Sequence, residues 1–163
     1  MLQLAKNRLD LHKKKRREFN ENSKREVAKL LSDGKDPQAR IRTMSIIHED
    51  YMQQIMTITE QYIEMISLRI DVMSAQRSCP LDIKEQVCGM IYIAPFIENS
   101  PELLQIRDIL LKHYGMGLTE EMIECKCVDS KVIDRLSRSP PSENLIDYYL
   151  STIAIQFNIA WSP

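Results

Sequence analysis

Ser32-Asp33-Gly34-Lys35-Asp36-Pro37 is the one place in the first 79 residues where glycine or proline interrupts the chain. Residues 1–33 contain neither, and residues 38–79 again contain neither. Gly34 tolerates the left-handed conformation that a helix C-cap requires. Asp36-Pro37 opens a helix: the carboxylate accepts a bond from an orphan N–H, and proline at the first position has no N–H to lose. The stretch therefore reads as a tight turn between two helices of about 30 and 40 residues. Forty helical residues reach about 60 Å at about 1.5 Å each, more than a compact domain of this size needs. Such a hairpin suits assembly or contact along a surface and leaves little chain for a catalytic cleft.

The 163 residues suffice for one domain with a real core. Its expected layout is 1–79 as long hairpin and 80–163 as shorter packing helices. No run of about 18 apolar residues marks a membrane span, and the charged N-terminus has no signal-peptide pattern. The cytoplasm is the expected compartment. The four cysteines (Cys79, Cys88, Cys125, Cys127) lack zinc-type spacing and are expected to be reduced, structural thiols. The net charge of −1 conceals a polarity. Residues 1–43 carry 13 Lys/Arg against 6 Asp/Glu, and residues 44–163 carry 9 against 17. A basic end and an acidic body predict two contacts: an anionic surface, and basic-to-acidic docking of like subunits.

On a helix over 2–32, Lys6, Lys13, Arg17 and Lys24 fall within about 40° of one another. Leu4, Leu11, Phe19 and Leu30 occupy a roughly opposite sector, so the helix has a basic edge backed by an apolar one. Helix 2 carries a seam at steps of three or four: Ile41, Met44, Ile47, Tyr51, Ile55, Ile58, Tyr62, Met65, Ile66, Ile70 and Met73. Shorter helices follow at about 83–94, capped by Asp82, and 101–114, after Ser100-Pro101 and ended by Gly115. Thr119 caps 120–126, Asp129 or Ser130 opens 131–138, and Ser139-Pro140-Pro141 opens 141–157. Met90-Ile91-Tyr92-Ile93 is the only stretch that reads as strand, and the fold class is all-α.

No catalytic constellation is legible, and no enzyme, cofactor or metal site is expected. Four glycines form no phosphate-cradling loop, and His12, His48 and His113 are scattered. His48-Glu49-Asp50 reads as a solvated helix face, and Glu120, Glu121 and Glu124 suit a helix N-terminal dipole. For the basic stretch, nucleic acid is not expected, because Phe19 is its one aromatic and base stacking is not provided for. Solvation alone and an anionic membrane surface remain. Each cation near such a surface is worth on the order of 1 kcal/mol. The helix 2 seam and Tyr148-Tyr149-Leu150 read as core, or as walls of a groove for a partner helix.

At Gly34-Lys35-Asp36, Ala39-Arg40-Ile41-Arg42 and Ile46-Ile47-His48-Glu49-Asp50-Tyr51 the chain resembles an Ist domain. This is the increased-sodium-tolerance family, a divergent branch of the ESCRT-III fold. Lys24 to Leu31, Tyr92-Ile93-Ala94-Pro95, Pro101-Glu102-Leu103, Lys112-His113-Tyr114-Gly115 and Tyr149 to Ile155 fit the same pattern. Cys79-Pro80-Leu81-Asp82-Ile83-Lys84-Glu85 resembles plant members most. The resemblance implies a long helical hairpin with shorter helices folded back, and a cytosolic scaffold recruited to endosomal membranes in multivesicular-body sorting. It implies binding of the C-terminal helix of a Did-type ESCRT-III subunit, homo- or co-polymer formation, and regulation of the AAA ATPase that dismantles the filament. Family members usually continue into a tail read by that ATPase. This chain stops at Trp161-Ser162-Pro163, so its ATPase contact is expected to be indirect.

Membrane or filament contact is assigned to Lys6, Lys13, Lys14, Arg16, Arg17 and Lys24. The partner-helix groove is assigned to Tyr62, Tyr148, Tyr149 and Ile153. The alternative is a soluble helix-binding module that neither polymerises nor touches lipid.

Overall fold

A computed structural model describes residues 1–123 and 127–163. Its helices are α1 (Leu2–Ser32), α2 (Asp36–Ala75), α3 (Lys84–Ile93), α4 (Pro101–Tyr114), α5 (Met116–Ile123), α6 (Ser130–Leu136) and α7 (Glu143–Gln156). One turn of 3-10 helix, Ala94–Phe96, follows α3, and no strand occurs among the described residues. Met90 to Ile93, the stretch with a strand-like reading, is helical and buried in α3, apart from a half-buried Tyr92. The expected segment 120–126 instead begins at Met116, and Glu124, Cys125 and Lys126 lie outside the described residues.

The hairpin forms as its turn chemistry requires. Gly34 has φ +73°, Lys35 N–H donates to the Leu30 carbonyl at 2.8 Å, and Gly34 N–H donates to Leu31 at 3.1 Å. These are the two bonds of a Schellman motif, which satisfies carbonyls that the last turn of α1 would otherwise orphan. Other ends depart from their sequence signals. Asp82 does not cap α3, whose N-cap is Ile83 without a side-chain bond; Asp82 pairs with Arg69 instead. Ser142, rather than Ser139, caps α7 by accepting from Leu145 N–H at 3.2 Å.

The chain divides into two compact units whose limits cut both long helices. Unit 1 comprises Met1–His12 and Gln54–Ser137; unit 2 comprises Lys13–Gln53 and Arg138–Pro163.

Unit 1 buries Ala5 and Leu9 of α1, Ile55, Met56, Tyr62, Ile63 and Ile66 of α2, and most of α3. Gly89 lies against the Tyr62 ring so closely that a Cβ there would overlap it. Burial, with Glu85 and Asp129 nearby, pushes the Tyr62 hydroxyl up to about 12. Thr59, fully buried, donates to the Ile55 carbonyl at 2.7 Å, so its hydroxyl is satisfied within its own helix. His113 Nε2 lies 2.9 Å from the Met73 carbonyl and 2.8 Å from that of Gln76, serving the open C-terminal end of α2.

Cys88 and Cys127 are joined as a disulfide, with Cα atoms 5.8 Å apart, which corrects the expectation that these thiols are reduced. Sequence spacing cannot reveal such a pair, because 39 residues separate them and the fold alone brings them together.

Arg8 grips Glu102 in the first turn of α4 through two contacts of 2.7 and 2.8 Å. The Arg8 bond, with a bond to its own backbone, holds the Glu102 carboxyl below its ordinary 4.5. A depressed folded value stabilises the fold above 4.5 and loses that contribution as pH falls through the folded value. Glu102→Gln is therefore expected to melt below the parent at neutral pH. The gap should close on acidification, read by circular dichroism melts across a pH series.

Unit 2 packs Val27, Ala28 and Leu31 of α1 and Ala39, Ile46 and Ile47 of α2 against Ile146, Leu150, Ile153 and Ala154 of α7. A second Schellman motif ends α7: Asn158, at φ 55°, donates to Ile155, and Ile159 donates to Ala154 at 2.8 Å. It turns the chain so that Ile159 and Trp161 pack on the same core, with Trp161 Nε1–H donating to Asp36 at 3.2 Å.

Two faces differ from the sequence pattern. On α1 the buried positions are Ala5, Leu9, Asn20, Ser23, Val27, Ala28 and Leu31, while Leu4, Leu11 and Phe19 are exposed. The inward face mixes the small Ala5, Ser23 and Ala28 with Leu9, Val27 and Leu31. On α2, Ile41, Met65 and Ile70 are exposed, whereas Thr43, Ile46, Met56, Thr59 and Ile63 are buried. Ile47, Ile55, Tyr62, Ile66 and Met73 of the expected seam are buried, and the buried stripe widens to take in these neighbours.

Candidate partner and membrane surfaces

The six cations assigned to an anionic surface do not present one open face. Lys6 belongs to unit 1, where its ammonium hydrogen-bonds Glu64, and that bond raises its proton affinity. The other five belong to unit 2. Arg16 Nε reaches Glu49 at 3.2 Å, and Lys24 Nζ reaches Glu21 at 3.2 Å. Lys13 is half-buried, and its backbone carbonyl accepts from Gln53 at 3.3 Å. Lys14 and Arg17 are exposed, and Arg17 has no ion pair among the described residues. The basic edge thus flanks the buried face of α1, and part of its charge is spent on acids of the same unit. Such exposed pairs are worth at most about 1 kcal/mol each, so an anionic surface can compete for them.

The four residues assigned to a helix-binding groove separate similarly. Tyr62 is 8% exposed in the core of unit 1, and Ile153 is in the core of unit 2. Neither is available to line an open groove, because each is already covered by its own unit's packing. Tyr148 is 67% exposed, and Tyr149 is half-buried beside it with ring centroids 6.3 Å apart. Along α7, Asn144, Tyr148, Thr152 and Ile155 form the outward row at helical spacing. At the start of α7, Arg40 bridges to Glu143 at 2.5 Å and Asp147 at 2.8 Å, which raises the guanidinium's proton affinity.

Beneath that row lies a polar clamp that the sequence did not reveal. Asp50 Oδ1 accepts from Asn20 at 2.9 Å, and its Oδ2 accepts from the Tyr149 hydroxyl at 2.6 Å. One carboxylate thereby ties α1, α2 and α7. This corrects the reading of His48-Glu49-Asp50 as a solvated face. Glu49 is engaged by Arg16, the His48 ring meets Tyr51 edge-on at 6.3 Å, and Asp50 joins three helices. The cluster's chemistry is structural, with its acids committed to donors. A tyrosine 99 residues away gives no local signal for such a bond.

Unit 1 has its own apolar cleft of about 380 Å³, lined by Met1, Leu2, Ile66, Ile70, Ile106 and Ile109 among others. Its α4 wall escaped the sequence reading because α4 carries apolar residues in every turn, and their pattern does not say that Ile109 stays exposed. No group of three or more metal-ligating side chains occurs among the described residues. No helix there is long and apolar enough to cross a membrane.

A family model described as Ist1, regulator of Vps4 activity in the MVB pathway, matches residues 1–160. An IST1-like protein of Dictyostelium discoideum is 35% identical over 163 residues, covering 98% of this chain and 44% of that relative. The vacuolar protein sorting-associated protein IST1 of Saccharomyces cerevisiae is 27% identical over 170 residues, covering 99% of this chain and 57% of that relative. The chain thus spans about half the length of these two relatives. The crystal structure of the S. cerevisiae Ist1 N-terminal domain in complex with the Did2 MIM motif superposes with a TM-score of 0.90 at 26% identity. That likeness covers 99% of this chain and 90% of the other. With the hairpin, the turn that closes it and nearly every residue accounted for, the chain belongs to the Ist1 family, regulators of Vps4 activity in the MVB pathway.

Proposed function

We propose that this chain is an ESCRT-III-related scaffold rather than an enzyme, working on the cytosolic side of endosomal membranes. It binds the C-terminal helix of a Did-type ESCRT-III subunit, joins that subunit in homo- or co-polymers, and so regulates the disassembly ATPase. The observation that carries this is the fold it shares with an Ist1 domain bound to a MIM motif. Tyr148, with Tyr149 beside it, offers the exposed apolar surface for a partner helix, and Ile153 supports it from the core. Lys13, Lys14, Arg16, Arg17 and Lys24, together with Lys6, supply charge for the anionic membrane or an acidic neighbour. Such weak contacts become effective when many copies assemble.

Sedimentation with anionic and neutral liposomes over a salt series tests the membrane part. Reversing Lys13, Arg17 and Lys24 to Glu is expected to weaken anionic binding by about 100-fold or more, since each cation near the surface is worth about 1 kcal/mol. Helical content should not change. Titration of a Did-type C-terminal helix peptide tests the partner part, with Tyr148→Asp as the disabling variant. Unaltered liposome binding by the triple variant would remove the membrane contact. The second reading, a soluble helix-binding module, draws on the pairing of Lys6, Arg16 and Lys24 with acids of their own units. Concentration-dependent light scattering separates it, because only the scaffold polymerises.

A further inference from the structure

We propose that the Cys88–Cys127 disulfide is a redox switch, opened through Cys127 by a glutathione-class thiol, that ties the start of α6 to α3 and releases it on reduction. This rests on the cytosolic setting proposed above, where thiol pools keep most protein thiols reduced and a lasting structural disulfide is rare. Both cysteines belong to unit 1.

The two sulfurs differ in access. Cys88 is 0% exposed on the buried face of α3, whereas Cys127 is half-buried, three residues before α6. An incoming thiolate therefore attacks the Cys127 sulfur. A mixed disulfide forms there, and the Cys88 sulfur leaves and takes up a proton. A second thiol then displaces Cys127, so two thiols become one disulfide and the protein gains two electrons and two protons. The return also starts at Cys127. Hydrogen peroxide oxidises its thiol to a sulfenic acid and is reduced to water; the Cys88 thiol condenses with that acid and releases a second water.

What the bond holds follows from the packing. Helix α3 keeps its place without it, since Val87, Met90, Ile91 and Ile93 are buried in unit 1. The stretch around α6 is less firmly anchored: among its described residues Val128, Val132 and Leu136 are the buried apolar ones. A short helix with few apolar anchors opens at a lower free energy than a core helix. Loss of the tie across 39 residues therefore loosens α6 first and leaves the rest folded.

Glutathione buffers from fully reduced to fully oxidised, applied to the full chain, provide the test, with cysteine pairing read by alkylation and peptide mass mapping. Cys88 and Cys127 are expected to be joined in the oxidised buffer and open at the strongly reduced ratios of the cytosol. Reduction should lower the melting temperature by about 5–15 °C and leave the helical content at room temperature unchanged. Trypsin cleavage after Lys131 and Arg135 should quicken about tenfold, because it tracks the opened fraction. Cys127→Ser should be cleaved as fast as the reduced parent in every buffer. A bond that survives the most reducing buffer would be a permanent staple and would overturn the switch. Cys88 joined to another cysteine, or to none, in the oxidised buffer would overturn it too. So would equal cleavage in both states, or loss of all helical signal on reduction. These readouts use neither vesicles nor partner peptide, so any of those failures leaves the scaffold reading standing. A chain that binds neither vesicles nor peptide, yet titrates as stated, would lose the scaffold reading and keep the switch.

Discussion

Tyr149→Asp is expected to lower stability by about 4 kcal/mol or more, a large part of the roughly 5–15 kcal/mol that a folded domain possesses. Three losses combine. The ring leaves the cluster formed by Ile46, Ile47, Ile146 and Leu150, on which it packs. The hydroxyl no longer donates to Asp50, at present a 2.6 Å bond. A second carboxylate then faces Asp50, and like charges at that spacing repel strongly in a partly dry site. Tyr149→Phe removes only the hydrogen bond and should cost about 1–2 kcal/mol. Asp50→Ala strands both the Tyr149 hydroxyl and the buried Asn20 amide, and should cost about 3 kcal/mol. Combined with Tyr149→Phe it should cost less than the sum, because both act on one bond. Urea unfolding followed by circular dichroism measures all four. Parent-like stability of Tyr149→Asp together with lost peptide binding would return Tyr149 to the docking surface and contradict the clamp.

The second large effect concerns unit 1. Tyr62→Ala is expected to cost about 3–5 kcal/mol, as for other buried aromatic truncations. Gly89→Ala should cost about 1–2 kcal/mol. Alanine's better helix propensity favours it by about 1 kcal/mol, but the added methyl meets the Tyr62 ring and the ring must move. The decisive measurement is the sign of Gly89→Ala once Tyr62 is alanine. With the ring gone, the methyl fills part of the vacated space and keeps its helical advantage, so the substitution should turn stabilising by about 1 kcal/mol. A cost that remains the same in both backgrounds would mean that Gly89 is required for something other than the Tyr62 ring.

The hairpin was legible because its signals are local. Gly34, Asp36 and Pro37 each act within one turn of helix, and both long helices run as expected from them. The all-α class followed from the same sparse distribution of breakers. Facing was much less legible. Leu4, Leu11 and Phe19 of α1 are exposed, while Leu9, Val27 and Leu31 are buried together with Ala5, Ser23 and Ala28, because position around the helix rather than hydrophobicity decides which residues are covered. Periodicity gives the angle of a stripe but not which stripe another helix needs. The candidate surfaces suffered most from this. Tyr62 and Ile153 have the hydrophobicity of groove residues, and the same property places them in a core. Lys6, Arg16 and Lys24 look like a free basic edge until their partners Glu64, Glu49 and Glu21 are brought within reach. The Cys88–Cys127 pair and the Asp50–Tyr149 bond span distances along the chain at which sequence patterns are silent.

The order in which the chain leaves the ribosome gives the two units different histories. Every residue of unit 1 precedes Arg138, so that unit is complete in sequence before the last segment of unit 2 is made. Unit 2 starts at Lys13 and finishes last, with the 84 residues of 54–137 translated between its two halves. At about 5–20 residues per second this interval lasts about 4–17 s, long against helix formation. Throughout it, Val27, Leu31, Ile46 and Ile47 await Ile146, Leu150 and Ile153. The early half of unit 2 therefore emerges with its apolar side uncovered until α7 arrives to close it.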